Sequence, residues 1–195
     1  MKRLQHVMRS AALLWLLLAG VLGVARGADL SRPALLVASE RWAGTPFERA
    51  VILVTPLPNG AHVGFVVNHP TQVTLGNLFP EQIAASHVVG PVYAGGPMLS
   101  SVVFALMRAS PAPDDSKLVT LMPGLVAAID GPTVDRIIET RPNDARYFLG
   151  LVMWSSGELE DAVEDRSWEV RPATVDAVLP EHTADLWEAL AGTAI

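Results

Sequence analysis

The dipeptide Asn59-Gly60, set between AVILVTP (50–56) and HVGFVVN (62–68), constrains the fold more than any other feature of the chain. Asn-Gly suits the two-residue turn whose central positions both need positive φ, and that turn matches the twist of an antiparallel pair. The first run is β-branched and apolar on both faces, as a buried central strand is. The second run returns as its hairpin partner. PALLVAS (33–39), PVYAGGP (91–97), SVVFALMR (101–108), KLVTLM (117–122) and ARYFLGLVMW (145–154) read as further strands. RWAGTPFER and ASPAPDDS read as loops, and LGNLF (75–79) as one helical turn. DGPTVDRIIETR (130–141) carries Pro132 in the first turn and apolar Val134, Ile137 and Ile138 at i, i+3, i+4 spacing, which predicts an amphipathic helix. Helices are also predicted over 156–165, 173–179 and 182–191. Strands that mostly precede helices, with a tight hairpin among them, predict an α+β class with a mixed sheet.

The N-terminus stands apart from this pattern. Lys2, Arg3 and Arg9 precede an apolar run, Ala11–Ala25, and small residues occupy Ala25 and Gly27. That three-part pattern is a secretory signal peptide cut near Gly27/Ala28, and the run is shorter than the roughly 20 residues of a bilayer-spanning helix. The expected organisation is a signal peptide over 1–27 and a single domain over 28–195, in the periplasm or secreted. The alternatives are an uncleaved anchor, through which alone the chain would contact a membrane, and a start codon placed too far upstream of a cytoplasmic protein.

Without the leader, ten basic and twenty acidic side chains remain, a formal charge of −10, and Lys117 is the only lysine. Phosphate-backbone binding draws on clustered Lys and Arg, so nucleic acid is an unfavoured partner. The chain has no cysteine, which excludes disulfides, thiolate metal sites and thiol catalysis.

LVMWSSGELED (151–161) resembles an active-site mouth, with Ser155 and Ser156 ahead of a run of acids. Ser155 and Glu158 have capping-box spacing, in which the serine oxygen accepts from a helix N–H and the glutamate reaches back to the cap's own N–H. Glu158, Glu160 and Asp161 then lie where the helix dipole favours negative charge, and Leu159, Ala162 and Val163 form the inward stripe. A strand–helix elbow that presents a nucleophile reads G-x-S-x-G; here Val152-Met153-Trp154 precede the serines. A helix start is therefore expected, and no catalytic residue is assigned.

AGGP (94–97) reads as a tight turn permitting close chain approach rather than a phosphate loop, which would add a lysine or a longer glycine spacing. His62 and His69 differ by an odd number of residues, so a regular strand points them to opposite faces and away from one shared metal. His87 falls in a loop and His182 at the start of the last predicted helix. No metal and no cofactor are expected. Trp154, Trp168 and Trp187 stand at element ends as core anchors.

Four blocks in order, LLVASERWAGTPFERAVILV, GFVVNHP, VYAGGP and ARYFLGLVMWSSGELEDAVEDRSWEVRPA, resemble the AlgH/YqgE family of small bacterial proteins across essentially the whole mature chain. The glycine pair before proline and the block from Trp154, Ser155 and Gly157 to Trp168 are the most specific parts, and Trp187 fits the family's C-terminal helix. The resemblance implies a branched, barrel-like sheet with peripheral helices and no established reaction; some members are labelled transcriptional regulators. This sequence departs from the family where D-P-x-F becomes Gly44-Thr45-Pro46-Phe47, where the basic residue of N-[RK]-P is His69, where the glutamine of G-Q-L-E is Glu158, and in its leader.

The expected function is a non-enzymatic binding or accessory protein of the bacterial envelope, for a protein or small ligand. Asn68, His69 and Pro70 with Gly95, Gly96 and Pro97 form the expected recognition surface, as loop residues with the least structural reason for their identity. On that basis Asn68→Ala would spare the melting temperature. The alternatives are a cytosolic regulator of gene expression, as the family label suggests, and a hydrolase using Ser155 or Ser156.

Overall fold

The computed structural model describes residues 29–109 and 117–192. The expected signal peptide and nearly all of the ASPAPDDS loop lie outside the described residues. Ten strands form the framework: β1 (Ala34–Ala38), β2 (Val51–Pro56), β3 (His62–Val66), β4 (Pro70–Thr74), β5 (Pro91–Ala94), β6 (Met98–Arg108), β7 (Leu118–Met122), β8 (Leu125–Ala128), β9 (Ala145–Trp154) and β10 (Trp168–Pro172). Five helices accompany them: α1 (Leu75–Leu78), α2 (Gly131–Thr140), α3 (Glu158–Glu164), α4 (Val175–Val178) and α5 (Leu186–Ala191). The α+β class read from the sequence is the class observed.

The hairpin predicted at Asn59-Gly60 is formed. β2 and β3 pair from Ile52↔Val66 to Pro56↔His62, and Gly60 has φ 77°. From this pair the strand order runs β10-β1-β2-β3-β9-β6-β8-β7, every neighbour antiparallel. The sheet curls into a half-barrel around Leu53, Phe65, Phe104, Leu106, Leu125 and Phe148. Phe65 sits between Phe104 and Phe148, with ring centroids 5.5 and 5.8 Å away. The curl brings β7 back toward β2, where Thr55 Oγ1 donates to the Leu121 carbonyl at 3.1 Å.

The sheet also branches, and β9 is the trunk. Along one edge its C-terminal half pairs with β3 through Gly64↔Val152, Val63↔Met153 and His62↔Trp154. On its N-terminal half, Tyr93↔Phe148 and Ala94↔Leu149 join it in parallel to β5, which carries β4. Gly150 lies between these halves at φ 73°, where a β-carbon would meet the Gly96 carbonyl and stand 2.7 Å from the Met98 oxygen. Gly95 fills the notch: its N–H donates to Leu149 O at 2.7 Å and its carbonyl accepts from Val66 N at 2.9 Å. The close chain approach expected of the glycine pair is therefore the branch point itself.

The outer faces are covered separately. Val134, Ile137 and Ile138 of α2 are buried against β6, β8 and the N-terminal half of β9, as the helical spacing predicted. Leu159 of α3 packs beside Trp154 and Trp168 over β1–β3. β4, β8 and β10 have no counterpart in the sequence reading. The last predicted helix begins later, at Leu186, so His182 precedes it.

Candidate functional site

A cleft of about 260 Å³ opens between the loop leading from β1 to β2 and the final helix, lined by Ser39, Glu40, Ala43, Glu48, Arg49 and Trp187. Its loop is built from short-range polar chemistry. Ser39 caps a single 3-10 turn, Glu40–Trp42, and Thr45 Oγ1 donates to Trp42 O at 2.7 Å. Gly44 N–H donates to Glu48 Oε2 at 2.8 Å. Trp42 and Phe47 then pin the loop to β10, with ring centroids 5.0 and 5.8 Å from Trp168, and Trp42 Nε1 donates to Ser167 O at 2.9 Å.

Arg49 is the unusual residue of this cleft. Its φ is 55°, a left-handed conformation that costs a non-glycine residue about 1–2 kcal/mol. Its guanidinium lies 5.0 Å from the Trp187 ring centroid and pairs with Glu188. Both charged side chains are about half exposed, so the ion pair contributes about 0–1 kcal/mol and the stacking a similar amount. These contacts only offset the backbone strain. The brace on that backbone comes from Asn68, whose Nδ2 donates to Arg49 O and whose Oδ1 accepts from Val51 N, both at 2.8 Å. Trp187 is fixed in turn by Nε1 donating to Ala38 O at 2.9 Å.

The His69 ring faces the carbonyls of Glu48 and Arg49. Burial pushes its pKa below the ordinary histidine value, and the two carbonyls oppose that shift without cancelling it. Asn68 and His69 thus stand against the main chain of Glu48, Arg49 and Val51, behind the residues that line the cleft but not among them. Pro70 lies opposite Tyr93, and Ala94 N–H donates to His69 O at 2.9 Å, so the Asn68-His69-Pro70 stretch and the Gly95-Gly96-Pro97 turn are neighbours, as a shared surface requires. Their premise is corrected, however. Asn68 has a strong structural reason for its identity, since it satisfies two main-chain groups, and Gly95 and Gly96 are required where β-carbons would strike Gly150 and Leu151.

The Ser155 region is also corrected. Only half of the capping box exists: Glu158 Oε2 accepts from Ser155 N at 2.8 Å, while the helix N-cap is Gly157, at φ 86° and with no side-chain cap. A left-handed Gly157 turns the chain two residues after Ser155 and carries its hydroxyl away from the helix N–H groups. Ser155 and Ser156 are exposed; Glu158, Glu160 and Asp161 form the first turn of α3, as read from the sequence. Trp154 and Trp168 are 7% and 3% exposed, which makes them core anchors. His62 is buried on β3 with Nε2 against Leu30 O at 3.1 Å, far in the fold from the cleft's polar wall.

The cleft residues Glu40, Glu48, Arg49 and Trp187 were not among the sequence candidates. Arg49 lies within the RWAGTPFER loop, and nothing local marks a positive φ at an arginine. Chemically, the site offers carboxylates, one guanidinium and an indole face, which suit recognition of a polar or charged group.

A protein-family model described as AlgH-like matches residues 35–194. A UPF0301 protein of Myxococcus xanthus is 30% identical over 162 residues, covering 80% of this chain and 86% of that one. A UPF0301 protein of Chlorobaculum parvum is 29% identical over 157 residues, covering 78% and 81%. The solution structure of the AlgH protein from Pseudomonas aeruginosa superposes with a TM-score of 0.68 at 20% identity, covering 84% of this chain and 88% of that chain. A crystal structure of a Corynebacterium diphtheriae protein gives 0.67 at 24% identity, covering 85% and 88%. The curled, branched sheet is thus shared with both solved structures, and with the family match extending from β1 past α5, the chain belongs to the AlgH-like family.

Proposed function

We propose that the chain is an exported, non-enzymatic binding protein of the bacterial envelope, and that it engages its ligand or partner at the cleft of Arg49 and Trp187. Asn68 supports the Arg49 backbone at that cleft, and His69, Pro70 and the neighbouring Gly95-Gly96-Pro97 turn extend the proposed surface from it. The observation that carries the reading is the left-handed Arg49, braced by Asn68. Strained residues persist where the surroundings over-determine them, and they gather at binding and switch sites. Here the side chain's own contacts do no more than offset the strain, so its position at the cleft calls for a use other than stability. Export rests on the leader pattern of the sequence.

Fractionation of cells carrying a C-terminally tagged chain, with N-terminal sequencing of the product, tests the location. A periplasmic species starting at or near Ala28 supports the envelope role; a cytosolic species overturns it and favours the regulator reading. Complementation of a deletion strain by Arg49→Gly tests the cleft, and full rescue would remove it from the function. Labelling of Ser155 or Ser156 by a serine-reactive phosphonate would replace the binding role with hydrolysis.

A further inference from the structure

The strands β2, β3, β9, β6, β8 and β7 run alternately up and down, so the half-barrel has two distinct ends. One is filled by α4 and α5, whose Val175, Leu179, Leu186 and Trp187 pack on the interior core. Arg108 pairs with Asp176 at 2.6 Å there, and Arg146 donates to Pro180 O at 2.5 Å. The Arg49 cleft lies at this filled end.

The other end is bounded by the C-termini of β9 and β8 and the N-termini of β6 and β7, and its rim is apolar. Val102 stands two residues before Phe104, Val119 two before Leu121, Ile129 two after Ala127, and Met153 two after Leu151. Those four reference residues all belong to the interior core. Alternate strand positions share a face, so each rim residue continues an interior row beyond the core. They are 39%, 41%, 49% and 43% exposed. Met98 and Leu99 join them from the start of β6, where five residues of β6 span two of β9 and Leu99 has φ 52°. Six of the eight large exposed apolar side chains among the described residues are therefore gathered at this end. Scattered ones would need no explanation; a collected set marks an interaction surface.

Charge identifies the occupant. No ionisable side chain occurs in 98–107 or 118–129, although the chain beyond the leader carries twenty acidic and ten basic residues. Two such copies repel each other over most of their surfaces and meet without like charges facing only through a neutral patch. We propose that the open end of the half-barrel is a docking face for a second copy of this chain, the same rim meeting itself about a two-fold axis. A bilayer surface would call for several flanking basic residues, and of the ten beyond the leader only Lys117 adjoins these two stretches at this end, Arg108 lying at the filled one. This pairing is independent of the proposed cleft function and leaves both clefts facing outward.

Sedimentation equilibrium on the protein recovered from cells tests it. The wild type is expected to sediment as a dimer that tightens as added salt screens the like charges. Val102→Asp and Met153→Asp are expected to sediment as monomers that still melt cooperatively, and Val89→Asp, at the most exposed apolar side chain away from the rim, to remain dimeric. If an aspartate variant does not fold, serine at the same position serves instead. A wild type that stays monomeric at every attainable concentration overturns the proposal. So does a dimer that survives both rim substitutions or dissociates with salt. A monomer that binds phosphatidylcholine vesicles through Met153 overturns it in favour of a membrane face.

Discussion

Asn68 and Arg49 are joined across the entrance to the first core strand: the Asn68 amide donates to the Arg49 carbonyl and accepts from Val51 N–H, both at 2.8 Å. One side chain therefore straddles Ala50, which is fully buried, and fixes the point at which a left-handed loop residue becomes a straight strand. Asn68 is thus a fold determinant as well as the brace of a cleft residue.

Asn68→Ala leaves both main-chain groups without that partner. The expected loss is about 1–3 kcal/mol, read from urea unfolding midpoints. A change inside about 0.5 kcal/mol would mean that water replaces the amide fully.

Arg49→Gly and Arg49→Ala separate strain from contact. Both remove the Trp187 stacking and the Glu188 pair, but only glycine also removes the left-handed penalty. Glycine is expected to melt near the wild type, and alanine to be less stable than glycine by about 1 kcal/mol. Equal melting of the two would show that the left-handed conformation is not kept in solution.

Gly150→Ala puts a β-carbon at positive φ against the carbonyls of Gly96 and Met98 at the branch. No flexible side chain is available to give way there. The expected cost exceeds about 4 kcal/mol, with no cooperative transition by circular dichroism. A soluble variant with a wild-type melt would contradict the branch geometry.

His69 gives the folding stability a pH dependence of defined sign. Its folded pKa is depressed below the ordinary 6.5, so between the two values the unfolded chain binds the proton more readily. The stability linked to it is present above the ordinary pKa. It is lost as pH falls through 6.5 toward the folded value. His69→Gln should flatten that part of the stability–pH curve; an unchanged slope would assign the dependence to other groups.

Ser155→Ala should change stability by less than about 0.5 kcal/mol, because the hydroxyl does not cap α3. Glu158→Ala, which removes the acceptor for Ser155 N–H and a first-turn charge, should cost about 0.5–1 kcal/mol. Thermal melts of the pair in the same buffer decide between them.

The hairpin at Asn59-Gly60 and the α2 helix were legible because a local rule specifies each: a turn dipeptide between apolar runs, and a helical stripe behind Pro132. β4, β8 and β10 were not. PTQVT begins with proline and is only partly covered, LVAA is four residues long, and WEVRP follows directly on a helix, so each is a strand only because a neighbour pairs with it. At the glycine pair, the sequence implied a close approach but not which chain approaches. Gly150, more than fifty residues away, carries no local sign of it. The cleft was hidden for a related reason, since residues 39–49 meet Trp187 only after the sheet has curled. The capping box misled because its spacing leaves open whether the serine or a later glycine makes the turn.

The meeting of β2 with β7 differs in kind from every other junction of the curl. A shared ladder must be broken rung by rung, whereas the described contact is a single hydroxyl, on Thr55, reaching one carbonyl, on Leu121. The circuit of strands is in effect a clasp rather than a weld. Ladder pairing therefore ties β7 and β8 to the rest of the sheet through β6 alone, and their hold on β2 rests on shared core packing and this one hydrogen bond.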